Sequence, residues 1–215
     1  MALPKDDHHE EVVSLLHNEL AVVHWQWLTW RTLYADEERR QLLEKSAWPF
    51  FWNLQQVLLN QVFVSLSCLV DQVTGGRDRD NLTLERLLLH PRVAGDPSFH
   101  EEVKQKIGMA RAACAKILIW RNKVLAHLDL KTVLAGANIS LPPVNPQEVE
   151  DTLRALGDAF NAVQGRLYGQ TTAFDQTFSP PGDAQSLLRC LQYSERWKAY
   201  QQRLLLEGRY EGGLL

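Results

Sequence analysis

Cysteine is scarce in this 215-residue chain. Cys68, Cys114 and Cys190 stand far apart, and no CxxC pair or Cys/His cluster occurs. Three scattered thiols exclude a disulfide framework and a spaced-ligand zinc module, and leave reduced, buried cysteine as the reading. A long apolar run is missing as well. The most apolar stretch, Trp48 to Val70, is interrupted by Asn53, Gln55, Gln56, Asn60, Gln61, Ser65 and Ser67. A membrane span needs about 20 mostly apolar residues, so none is expected. The polar, acidic beginning, Met1 to Glu11, does not read as a signal peptide, and a cytoplasmic location is the expectation. Charge of one sign is not in excess: the formal net charge is -3, so a nucleic-acid site would have to be local. The chain also lacks the Walker, dinucleotide-glycine and G-x-S-x-G patterns, and no cofactor is expected. His8, His9, His17 and His24 have no carboxylate or cysteine completing a metal set. They read as solvent-facing, with no metal site.

What is present is enough apolar material for a globule, 45% hydrophobic against 23% charged, with seven tryptophans. The length suits one domain, or a core domain with an appended segment. No strand alternation, repeat or low-complexity tract is visible. From about Asp6 to Lys45, Val13, Leu16, Leu20, Val23, Trp27, Trp30 and Tyr34 recur at three- and four-residue spacing, one stripe on a long helix. Trp25, Trp27 and Trp30 cannot share one face. A second helix, apolar on most sides, is predicted from near Ser46 to about Gln72, with Pro49 tolerated in its first turn. Thr74-Gly75-Gly76 and the charged run Arg77 to Asp80 form a loop. Asn81 to Leu89 is a short helix capped by an asparagine or threonine.

A third long helix is predicted from Ser98, with Glu101 as its capping-box partner. Its stripe is Val103, Ile107, Ala110, Cys114, Ile117, Arg121, Val124 and Leu128. Asp129 to Asn145 reads as a loop. Asn145-Pro146-Gln147-Glu148 is a strong helix start, with a cap, a first-turn proline and an acid. That helix buries Val149, Leu153, Leu156, Phe160, Val163 and Leu167, and a last helix spans about Asp183 to Glu207. The fold class is all-α, an antiparallel bundle of four to six helices.

Arg121 breaks the pattern. It occupies a position where the stripe calls for an apolar residue, and a guanidinium there is costly unless paired or used. His127 follows six residues later. On an ideal helix the two point about 120° apart and lie about 9 Å apart along the axis, so they do not converge unaided. Either the helix ends or kinks near Ala126, or two copies face each other in a composite site. The apolar strip around Trp120 and Val124 favours the dimer seam. Asp129 and Asp71 are two acids that Arg121 could meet, and a solvated carboxylate is the plain alternative for Asp129. Lys104, Lys106, Arg111, Lys116, Arg121 and Lys123 make this helix locally basic, and either a solvated face or a cationic groove is consistent with that. Trp120 reads either as packing or as a platform for a base.

The string Arg121-Asn122, four residues, His127 resembles the signature of the HEPN superfamily. The context Trp120 to Asp129, together with Leu69-Val70-Asp71 and Asn81-Leu82-Thr83-Leu84-Glu85-Arg86-Leu87, resembles its abortive-infection (AbiU-like) subgroup. The likeness covers roughly Glu10 to Leu167 and leaves the last helix unexplained. It implies a HEPN-like bundle over 1–170 that dimerises through the motif helix, followed over 171–215 by a linker and a C-terminal helix docking on the bundle or on a partner subunit. It also implies a metal-independent endoribonuclease of toxin or phage-defence type, attacking RNA through the ribose 2'-OH, with a homodimer and an antitoxin-like protein as partners. Arg121, Asn122 and His127 would carry catalysis; Lys123, Lys116 and Trp120 would bind substrate. No tyrosine stands two residues after His127, so regulation through that position is not implied. A non-catalytic nucleotide- or RNA-binding or protein-interaction module is the alternative, because fold resemblance licenses less than activity.

Overall fold

The computed structural model describes residues 8–73, 81–125, 141–176 and 181–209. These residues form helices and connections, with no strand among them. The helices are α1 (His9–Tyr34), α2 (Glu37–Leu69), α3 (Pro91–Ala94), α4 (Pro97–Ala113), α5 (Ala115–Trp120), α6 (Pro146–Tyr168) and α7 (Ala184–Leu206). Turns of 3-10 helix span Leu84–Leu89 and Phe174–Gln176, and a π turn spans Arg121–Leu125. The chain is therefore an all-α, antiparallel helical bundle. It divides into two compact units, Met1–Gln26 with Leu59–Thr177, and Trp27–Leu58 with Phe178–Leu215.

In the first unit α4 packs along α6. The two run antiparallel: Arg166 near the end of α6 pairs with Asp96 before α4 at 3.3 Å, and Thr152 near the start of α6 donates to the Ala113 carbonyl at 3.1 Å. α1 is antiparallel to α6 as well, because Glu10 accepts from Tyr168 and His17 lies 5.9 Å from the Phe160 ring. The stripes read from the sequence supply the core. Leu16, Leu20, Val23, Val103, Ile107, Ala110, Ile117, Leu153, Leu156, Phe160 and Val163 are all buried. α6 begins as its sequence requires: Asn145 accepts from the Glu148 amide, and Glu148 returns the bond to the Asn145 amide. It ends at Gly169, whose φ of 68° suits a residue without a Cβ.

The second unit is built on Leu33, Tyr34, Leu43, Phe51 and Leu188, with the Tyr34 hydroxyl donating to the Phe51 carbonyl at 2.9 Å. Trp27 is buried and stacks on Trp30 at 4.9 Å, whereas Trp25 is exposed, so the three tryptophans do divide between faces.

Several boundaries differ from the sequence reading. The first helix does not continue to Lys45. It ends at Tyr34, and α2 restarts at Glu37 with Asp36 accepting from the Arg39 amide. The break expected near Ser46 survives as a kink at Ala47, two residues before Pro49, whose ring and missing N–H disrupt the turn ahead of it. Asp96, not Ser98, caps α4, with Pro97 in the first turn. The short helix after Asn81 is of 3-10 type, and Thr83 at its start makes no side-chain cap bond. The third long helix is not continuous: it breaks at Cys114, where Thr152 takes up the Ala113 carbonyl, and changes to π winding at Arg121. The glycine-rich turn 74–80 lies outside the described residues, as do 126–140, which include His127 and Asp129.

Candidate functional site

The motif stands where regular α geometry ends. α5 passes into the π turn at Arg121, and such widened turns present side chains in directions that a straight helix does not. The side chain of Arg121 is 25% exposed, neither in the core nor free in water. Its guanidinium forms an ion pair with Asp71 and also donates to the Asn122 amide oxygen at 3.0 Å. The planar fork of arginine can serve both acceptors at once. This contact accounts for a charge on the apolar stripe: the stripe ends at the α2 terminus, and a carboxylate meets it there.

Asp71 is held in place by its neighbours. Arg111 of α4 donates to the Val70 carbonyl at 3.0 Å, satisfying an orphan acceptor at the end of α2, and pairs with Glu85 at 3.3 Å. Glu85 in turn accepts from the Val73 amide at 3.3 Å. The end of α2, the start of the 3-10 turn and the last turn of α4 are thus tied together around Asp71. Asp71 also forms one wall of an open groove of about 420 Å³, whose polar lining includes Glu19, Gln61, Ser65, Cys68 and Asn81. No pattern in the sequence announced this groove, because its residues come from three separate segments.

Of the other predicted site residues among those described, only Asn122 stays with Arg121. Asn122 and Lys123 are exposed. Lys116 pairs with Glu148, the same carboxylate that closes the α6 capping box, and reaches the Pro143 carbonyl at 3.3 Å. Trp120 packs edge-on against Phe63 at 6.3 Å and donates its indole N–H to the Pro142 carbonyl at 2.8 Å. His127 lies outside the described residues.

The thiols near the motif are poor nucleophiles. Burial pushes Cys114 up to about 12, although Arg121 pulls the other way. Partial burial also raises Cys68, against the opposing pull of Arg121. Of the three thiols expected to be buried, only Cys114 is; Cys68 and Cys190 are exposed. One histidine departs from its expected place. His24 is buried rather than solvent-facing, stacked on Phe174 at 5.4 Å, and burial lowers its pKa to about 4. An isolated imidazole on the edge of an apolar stripe gave no sign that Phe174, 150 residues later, would cover it. His17 is half-buried and bonded to Thr172 at 3.2 Å. Among the described residues, no helix is long and apolar enough to cross a membrane.

Comparison with curated proteins found no match, and comparison with solved structures found none. A family model, HEPN_AbiU2, described as AbiU2, matches residues 5–185. The match extends beyond the Glu10–Leu167 span of the sequence likeness at both ends and stops in the first turn of α7. With the motif on a helical bundle and most of its length matched, the chain belongs to the HEPN_AbiU2 family.

Proposed function

We propose that this protein is a HEPN-type endoribonuclease, acting in the cytoplasm as a toxin or phage-defence effector, with its site completed in a homodimer through the motif helix. The ribose 2'-oxygen attacks the adjacent phosphorus while the bond from phosphorus to the 5'-oxygen breaks. The products are a 2',3'-cyclic phosphate and a free 5'-hydroxyl. His127 takes the 2'-hydroxyl proton or supplies one to the departing oxygen, a role suited to an imidazole with an ordinary pKa of about 6.5. Arg121 holds the phosphate and stabilises charge developing on its non-bridging oxygens. Asn122 orients the arginine, and Lys123 adds positive charge beside it. Lys116 and Trp120 complete the substrate-binding set.

The observation that carries this reading is the setting of Arg121. Its guanidinium is partly open to solvent at a helix irregularity and held by one amide and one acid, Asp71, which itself lines a groove. A phosphate can replace the Asp71 carboxylate without stripping the arginine of its second partner. The same pair also favours a second reading, a non-catalytic module for RNA or protein binding, because an arginine already neutralised by Asp71 can serve as a structural tie. Incubating total RNA with the purified protein in EDTA tests the proposal. Cleavage leaving cyclic-phosphate ends, lost in Arg121→Ala and His127→Ala at matched folding, is expected. Intact RNA of every class with the wild-type protein would leave the binding module.

A further inference from the structure

α7 is the part of the chain that the motif does not explain and the family match barely reaches. Only its first half is anchored: Leu188 is buried with Leu33, Tyr34, Leu43 and Phe51, and Ala184 and Leu191 pack beside it. Past Leu191 the helix carries large side chains that no described residue covers. Tyr193, Trp197 and Tyr200 are 68%, 59% and 41% exposed. Steps of four and three residues put the three rings in one row on the helix, about 5 Å apart along its axis. Arg189, Arg196 and Arg203 recur every seventh residue and flank that row on one side. The Arg196 guanidinium lies 6.0 Å from the Tyr193 ring centre, and that of Arg203 lies 5.4 Å from Tyr200. Trp197 and Tyr200 are 5.7 Å apart and tilted by 33°. Among the described residues no carboxylate pairs with these three arginines: Glu195 is engaged by Lys198 and Glu207 by Arg209.

We propose that this row is a binding surface for single-stranded RNA, with bases stacking on Tyr193, Trp197 and Tyr200 and phosphates held by Arg189, Arg196 and Arg203. Aromatic faces in series beside guanidiniums that no described carboxylate neutralises are the chemistry that single strands require, since every base has a stackable face and every linkage a negative charge. A duplex hides its base faces and gains only from the arginines. A coiled-coil partner is the weaker match: the row covers about two heptads, fewer than the three or four of a sustained seam. Tyrosine and tryptophan also replace the branched aliphatic residues that fill such seams. This assignment deepens the endoribonuclease reading by naming single strands as the substrate class, and rests on that reading only for the fate of the bound strand.

The test is fluorescence anisotropy with labelled oligoadenylate, oligouridylate and the duplex of the two. The full chain carrying His127→Ala is used so that the strands survive. The single strands are expected to bind more tightly than the duplex. Trp197→Ala is expected to weaken single-strand binding roughly tenfold, and Tyr193→Ala with Tyr200→Ala at least as much. Arg196→Gln with Arg203→Gln is expected to flatten the salt dependence. Melting temperatures should hold, because these side chains are exposed. Unchanged affinity in the aromatic variants, preference for the duplex, or no single-strand binding at low salt would each overturn the proposal. Arg121→Ala separates the two readings. If it abolishes cleavage and weakens oligonucleotide binding less than Trp197→Ala does, both stand. If it cleaves like the wild type while Trp197→Ala still loses binding, the motif mechanism fails and the α7 surface stands.

Discussion

Arg121 and Asp71, 50 residues apart in sequence, join the π turn after α5 to the end of α2 by an ion pair. Both side chains are partly solvent-exposed, at 25% and 40%. In that setting the pair contributes little to stability, about 1 kcal/mol or less. Its larger consequence is for whatever else competes for the guanidinium. Asp71→Asn is expected to lower the melting temperature by only a few degrees while tightening RNA binding, since a phosphate no longer has to displace a carboxylate. Calorimetry with an RNA-binding titration checks both halves; weaker binding in Asp71→Asn would mean that Asp71 orients Arg121 for its ligand rather than masking it.

Arg121→Lys retains the charge but not the fork. A lysine ammonium is a point charge and cannot hold the Asn122 oxygen and a phosphate in fixed geometry. Cleavage should fall by about tenfold or more, with the melting temperature nearly unchanged, as followed by initial rates and thermal melts on the same preparation.

Glu148 takes part in two arrangements, the capping box of α6 and the pair with Lys116. Its carboxyl is accordingly held below the usual carboxylate range, first by Lys116 and then by the Asn145 amide. Asn145→Ala removes the cap and should cost about 1 kcal/mol. Glu148→Ala should also destabilise, because it opens the other half of the box and releases Lys116. Urea unfolding of the two single variants and the double variant measures this. Fully additive losses would show that the two halves of the box do not depend on each other.

The buried His24 makes stability depend on pH. Its folded-state pKa is lowered by burial to about 4 from an unfolded value of 6.5. Between those values the unfolded chain binds a proton that the folded chain refuses, so stability rises with pH across this window and is lost as pH falls from about 6.5 towards 4. The full difference is on the order of 3 kcal/mol. His24→Phe, which keeps a ring against Phe174, should flatten the urea midpoint between pH 4 and 6.5; an unchanged slope would assign it to another group.

Phe160 is fully buried in α6, with its ring 5.9 Å from Phe174. Phe160→Ala should cost roughly 3–5 kcal/mol, transfer and cavity terms together. A loss under 1 kcal/mol in urea unfolding would mean that the core around α6 closes over the space.

The clearest parts of the sequence were those governed by neighbours in the chain. The stripes of α1, α4 and α6 were visible because a residue three or four positions on shares a face, whatever the fold. The start of α6 at Asn145-Pro146 was visible, as was a helix start near Ser46 that the structure keeps only as a kink at Ala47, because caps and prolines act within a turn. The break at Cys114 was not, because the hydroxyl that takes up the Ala113 carbonyl comes from Thr152 on another helix. The end of α1 at Tyr34 was also hidden. The apolar stripe stops at Tyr34, but no glycine or proline follows before Lys45 to mark a break, and the stop lies in Asp36, whose side chain caps the next helix.

At the motif the same division holds. Arg121 was marked by the sequence alone, since a charge on an apolar stripe is conspicuous wherever the stripe goes. Asp71 stood among its candidate partners, but composition and spacing had no means of choosing it over Asp129. The choice depended on the end of α2 being brought to the end of α5, a closure across 50 residues arranged by Arg111, Glu85 and the packing of α4. The sequence by itself determined the helical class, the stripes, the principal caps and the identity of the unusual arginine, because each is written in residues within a turn or two of one another. The tertiary structure alone decided what meets that arginine, what covers His24 and which rings of α7 stay in water, because each depends on surfaces assembled from distant segments.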